Sequence, residues 1–151
     1  MAKQQFIAFK LNDETYAADI KRVGGITEYR SITRLPNAPG FVEGVINLRG
    51  EIVPIINLKE RFQLEKSEID SNTRIILYQI DNKDVGFIVD EASQVVEIDD
   101  KNIDQTPLLF NEIQGDYLNG IGKLDGKIII LLNLEKVFTE EEKEEILTIE
   151  I

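Results

Sequence analysis

Carboxylates are the abundant reactive groups of this chain: 28 Asp and Glu stand against 17 Lys and Arg, for a formal net charge of −11. Two facing carboxylates can serve as acid and base on a glycoside, so that chemistry is weighed first. No Asp or Glu pair lies in a catalytic motif, and there is no Trp to build a sugar platform. His and Cys are absent as well. Their absence removes the commonest general base, any Ser-His-Asp or Cys-His arrangement, thiolate metal ligation and disulfides. Neither an enzyme nor a cofactor or metal is expected. The acidity also opposes nucleic acid and anionic lipid, which need a positive footprint. Small barrels often bind single strands, but no basic face interleaved with aromatics is visible here. The Glu-rich tail from Thr139 reads as a solvated helix face.

One cation stands apart. Arg49 sits beside Gly50 in the aliphatic stretch GVINLRGEIVPIINL (44–58), which also carries Pro54. The chain repeats this stretch as GIGKLDGKIIILLNL (120–134), with Gly44/Gly120, Leu48/Leu124, Gly50/Gly126, Ile52/Ile128, Asn57/Asn133 and Leu58/Leu134 identical. Features that both copies keep should serve the fold. Gly50 and Gly126 fit hairpin turns that need a positive φ. The aliphatic runs after them read as barrel interior, and Asn57 and Asn133 as caps of short helices. Pro54 cannot donate to a ladder, which predicts an edge or a bulge there. Arg49, replaced by Asp125 in the second copy, is what the fold alone does not explain.

The elements that would position Arg49 follow from period-two alternation. Residues 6–11 and 15–18 form a hairpin about Asn12-Asp13-Glu14. Residues 19–22 form a helical turn, and 23–32 an extended segment bent at Gly24-Gly25. Leu35-Pro36-Asn37-Ala38-Pro39-Gly40 is a loop, followed by the hairpin 42–57 and a short helix near 58–64. After the polar stretch 65–72 the order repeats, with strands 74–80, 85–89, 93–98, 117–124 and 127–132 and a helix near 133–138. Thr139-Glu140-Glu141-Glu142 is a capping box that starts a C-terminal helix. The reading is mainly β. Two similar five-stranded barrels share a hydrophobic core, since one barrel in about 70 residues would bury too little alone. No apolar run approaches a membrane span, and the N-terminus lacks a signal-peptide core.

The segment PNAPGFVEGVINLRGEIVPIINL resembles the signature region of the CheW family, the chemotaxis coupling proteins. FIAFKLNDETYAADIKRV, VGFIVDEASQVVEI and YLNGIGKLDGKIIILLNLEKVF extend the resemblance across nearly the whole chain. It implies one CheW-like domain over 1–151, made of two SH3-like barrels (roughly 15–64 and 73–138) with the N-terminal strand and C-terminal helix packing across. It also implies a non-enzymatic adaptor that couples the cytoplasmic tips of methyl-accepting chemoreceptors to the regulatory domain of the histidine kinase CheA. Such a protein is expected to be cytoplasmic, monomeric when free, and recruited to membrane-associated receptor arrays without inserting into the membrane. An adaptor of a chemotaxis-like pathway that does not control motility is the alternative.

By the same resemblance, Val23, Ile26, Val95 and Val96 line a groove between the barrels that takes the receptor's helical tip. Phe41, Val42, Arg49 and Gly50 face the kinase. Leu108, Leu109 and Phe110 form a lateral array contact or a cap over the second barrel. Family members commonly carry an acidic residue in a V-x-E-I pattern where this chain has Val23-Gly24-Gly25-Ile26, so an acidic partner for Arg49 is missing at Gly25.

Overall fold

The structure, a computed structural model, describes residues 2–104 and 117–149. Its strands are β1 (Lys3–Leu11), β2 (Glu14–Asp19), β3 (Val23–Glu28), β4 (Val42–Leu48), β5 (Glu51–Asn57), β6 (Arg74–Ile80), β7 (Lys83–Val89), β8 (Glu91–Asp99), β9 (Ile103–Asp104), β10 (Leu118–Leu124) and β11 (Lys127–Leu132). Helix α1 spans Leu58–Arg61 and α2 spans Glu140–Leu147. The caps are those the sequence predicts. Asn57 accepts from the Glu60 N–H at 3.0 Å and Asn133 from the Glu135 N–H at 3.1 Å. Thr139 and Glu142 complete a reciprocal capping box at the start of α2.

The fold is mainly β, with two sheets ordered β8-β1-β2-β11-β10-β9 and β3-β6-β7-β5-β4. Each sheet curls back on itself. In the six-stranded sheet, one stretch of chain (91–104) pairs with β1 through β8 and with β10 through β9. In the five-stranded sheet, the chain beyond β3 returns to β4. There the Thr33 N–H donates to the Val45 carbonyl at 2.9 Å and the Val45 N–H to the Thr33 carbonyl at 2.8 Å. Curling this tightly needs local kinks. Both β4 and β10 carry a register shift at a glycine, Gly44 and Gly120, each with positive φ. A bulge of this kind raises local twist and bends the strand.

Membership of the sheets departs from the expected split near 64/73. The β6–β7 hairpin pairs with β3 and β5, and the β1–β2 hairpin pairs with β8 and β11. Each barrel therefore takes its hairpin from the opposite half of the chain. The joints are parallel pairings, Ile55↔Gly86 through Asn57↔Ile88 and Ile130↔Tyr16 through Leu132↔Ala18. Pairing across such a chain separation leaves no mark in local periodicity. Pro54 is consequently not on an edge strand, since β5 lies between β7 and β4. Its missing N–H is tolerated where the ladder with β7, recorded from Ile55 onward, has not yet begun.

Exchange of hairpins also explains the aliphatic runs, because both faces of the strands are covered. Val53, Ile55, Ile75, Leu77 and Ile88 fill one barrel, and Phe6, Ala17, Ile98, Ile129 and Leu131 the other. Alternate neighbours such as Phe9, Leu11, Ile56, Tyr78, Phe87 and Leu132 enter a third cluster shared by both sheets, with Leu58, Leu134, Val137, Phe138 and Ile146. Only alternate residues of the repeated runs are thus barrel interior. Ile52 and Ile128 are exposed, which corrects the reading of the whole run as buried.

Candidate functional site

Arg49 and Gly50 close the β4–β5 hairpin with φ of 55° and 85°. Two consecutive positive φ values are the geometry of a two-residue turn matched to strand twist. Asn47 fixes it by accepting from the Gly50 N–H at 3.0 Å. The equivalent pair Asp125-Gly126 has φ of 52° and 77°. Asp tolerates that conformation through its short side chain, whereas Arg has no such excuse. A strained residue type kept in a solvent-facing turn points to a use for its side chain.

The surroundings of Arg49 are informative. With Gly24, Gly25, Ile26, Thr27, Arg30, Leu48, Glu51, Leu77 and Asp84 it lines a depression of about 420 Å³. The floor is open because β3 carries no side chain at Gly24 or Gly25. A Cβ added at Gly24 would lie 3.4 Å from the Asp84 Oδ1, and Gly25 has φ of +154°. The Gly25–Arg49 relation inferred from the sequence is therefore spatial: both border one hollow. Arg30, which sequence reasoning did not single out, joins them from the chain beyond β3, its Nε donating to the Thr27 hydroxyl at 3.3 Å.

The other expected residues divide by burial. Ile26 on β3 and Val95 on β8 are 42% and 48% exposed, one from each sheet. Val23 packs against the shared core, and Val96 against the interior of the six-stranded barrel. Phe41 and Val42 are buried in the shared core and present no contact surface of their own. Phe41 stacks on Phe138 at 5.6 Å, with the Arg61 guanidinium 5.0 Å over its ring. The Gly44 bulge breaks the alternation of β4, so a simple in–out count misplaces its first residues. Leu108, Leu109 and Phe110 lie outside the described residues.

Two polar nodes tie down α1, at the end of β5 away from the Arg49 turn. Arg61 of α1 makes a bidentate pair with Glu142 of α2 at 2.8 and 2.9 Å, and its Nε donates to the Val137 carbonyl at 2.8 Å. Lys59, buried on the same helix, donates to Asp90 at 2.7 Å and Asn12 at 3.3 Å, and also bonds Ser67. Asp90 in turn accepts from the Asn12 N–H at 2.5 Å. The sequence offers no spacing rule for either node, because the charged partners lie 31 and 81 residues apart. Among the described residues, no group of three or more acidic side chains is arranged to hold a metal ion. Among the described residues, no helix is long and apolar enough to cross a membrane.

Comparison with known proteins agrees with this arrangement. Residues 5–142 match the model of the CheW-like domain. The chemotaxis protein CheW of Klebsiella aerogenes is 37% identical over 139 residues, covering 92% of this chain and 84% of that protein. That of Rhizobium meliloti is 32% identical over 141 residues, covering 93% and 91%. The crystal structure of the scaffolding protein TtCheW from Thermoanaerobacter tengcongensis superposes with a TM-score of 0.85 at 37% identity, covering 95% of this chain and 97% of that one.

Proposed function

The chain belongs to the CheW-like domain family, the non-enzymatic chemotaxis coupling proteins that link receptors to the kinase CheA, and from that premise we propose which faces make the two links. The receptor link is made by the exposed aliphatics Ile26 and Val95, with Val23 and Val96 behind them. The observation that carries this is that each sheet leaves one large aliphatic open to solvent on the strands concerned. A partner helix with an apolar face, such as a receptor's helical tip, buries such side chains on docking. The kinase link is made by the β4–β5 hairpin end at Arg49 and Gly50, while Phe41 and Val42 anchor the other end of that hairpin in the shared core. Arg suits that place because its planar fork gives several directed hydrogen bonds. The regulatory domain of CheA is the partner on that side. The free protein is a monomer in the cytoplasm, gathered into arrays by membrane-bound receptors.

Titration calorimetry tests both links at once. Wild-type protein is titrated with intact CheA from the same genome and with a chemoreceptor in nanodiscs. Val95→Asp should abolish receptor binding and leave kinase binding intact, and Arg49→Ala should weaken kinase binding several-fold and leave receptor binding intact. Loss of both affinities in either variant, with the fold unchanged, would refute the division into two faces.

A further inference from the structure

We propose that the hollow between Gly24-Gly25 and the Arg49 turn is a carboxylate-reading site, and that CheA supplies the Asp or Glu. This rests on the kinase-facing reading of Arg49 above and deepens it. The chain has six arginines. Arg22, Arg34 and Arg61 are paired with Glu135, Glu43 and Glu142. Arg74 donates to the carbonyls of Ser71 and Thr73 at 2.8 and 2.9 Å. The two that remain, Arg30 and Arg49, form no ion pair among the described residues, and both line this one hollow. In a molecule of net charge −11, where carboxylates outnumber cations, leaving these two unpaired together marks a site complementary to an external anion.

The hollow's shape narrows the anion to a side chain. Leu48 and Leu77 supply aliphatic lining, and the missing side chains at Gly24 and Gly25 leave room for methylene groups. Glu51 and Asp84 line the same hollow as the two arginines, so its own charges balance and a multiply charged anion such as phosphate is repelled more strongly than a single carboxylate. A single carboxylate on an aliphatic stem meets the two guanidinium groups and the apolar wall together. Arg is suited to hold it because its fork matches carboxylate geometry.

Calorimetry at two salt concentrations tests the proposal with intact CheA as the probe. The variant Arg30→Gln/Arg49→Gln should bind CheA about tenfold more weakly than wild type, with a flatter salt dependence. Arg22→Gln/Arg34→Gln removes the same net charge elsewhere and should leave CheA affinity unchanged. Conversion of the responsible CheA carboxylate to its amide should weaken wild type to the level of the double variant and cost that variant nothing more. Equal CheA affinity for wild type and the Arg30/Arg49 variant would overturn the carboxylate site and leave the adaptor reading standing. Loss of receptor binding with CheA binding intact would overturn the kinase as source. Wild-type protein that binds neither CheA nor receptor would remove the coupling reading itself.

Discussion

Gly44→Ala probes the closure of the five-stranded barrel, on which presentation of the Arg49 hairpin depends. A Cβ at this position would sit 2.1 Å from the Thr33 carbonyl oxygen and 2.8 Å from the Ile32 Cγ2. The nearer atom is backbone, so no side-chain rotation relieves the overlap. Relief requires β4 to move away from Thr33 by about 1.4 Å or more, since ordinary van der Waals contacts lie at about 3.5–4.0 Å. That movement breaks the two reciprocal hydrogen bonds between Thr33 and Val45, each worth about 0.5–1.5 kcal/mol. Holding Ala at φ near +148° adds about 1–3 kcal/mol. The sum is about 2–6 kcal/mol, a large share of the roughly 5–15 kcal/mol that holds a domain folded. Gly50→Ala is the matched control. It too has positive φ, but nothing lies within 4 Å of its added Cβ, so it should cost about 1 kcal/mol. Urea unfolding of both variants, with midpoint and slope compared, reads the difference. If Gly44→Ala costs no more than Gly50→Ala, the barrel is not closed at Thr33–Val45 and the reasoning fails.

Arg61→Ala removes the bidentate pair with Glu142, the bond to the Val137 carbonyl and the stack on Phe41. It should cost about 2–4 kcal/mol and reduce the helical circular dichroism of α2. Glu142→Ala in that background should add little, and fully additive losses would show that the two do not act as a unit. Lys59→Met leaves Asp90 without its cation and should cost about 3–5 kcal/mol by thermal unfolding, part of it recovered by adding Asp90→Asn. Stability should be flat from about pH 6 to 9, because the chain has no His or Cys to titrate there. It should fall above about pH 10. Burial pushes the phenols of Tyr16, Tyr78 and Tyr117 up, and the hydrogen bond to Glu135 raises Lys143. Each folded value then exceeds its unfolded one. The stabilisation is therefore complete below the unfolded pKa and is lost as pH rises through the folded one. Melting temperatures from pH 6 to 11.5 check this, and a decline beginning below pH 9 would contradict it.

The candidate site was only partly legible in advance. Arg49 stood out because the repeat removed everything that served the turn and left the one residue that did not. Ile26 and Val95 were reached through the family resemblance, and the structure leaves both exposed. Phe41 and Val42 were grouped with Arg49 through the same family resemblance, yet the structure buries both in the shared core. Arg30 carried no signal. It shares a hollow with Arg49, and the two are separated by a loop whose path no periodicity describes.

Hairpins, turns, caps and the capping box were determined by the sequence itself. Each depends on backbone stereochemistry and hydrogen bonds within a few residues: Asn57 reaching Glu60, Thr139 reaching Glu142, Gly50 accepting a positive φ. The internal repeat likewise announced two barrels before any coordinate. Only the tertiary structure decided which hairpin completes which barrel. A hairpin satisfies one edge of each strand locally and leaves the other edges open to any strand of suitable pattern. Both halves of this chain carry such strands. The choice of β7 for β5 and β2 for β11 is made by the shared core, where Phe9, Ile56, Phe87 and Leu132 are buried together. That burial is collective and non-directional, so no short stretch of sequence encodes it.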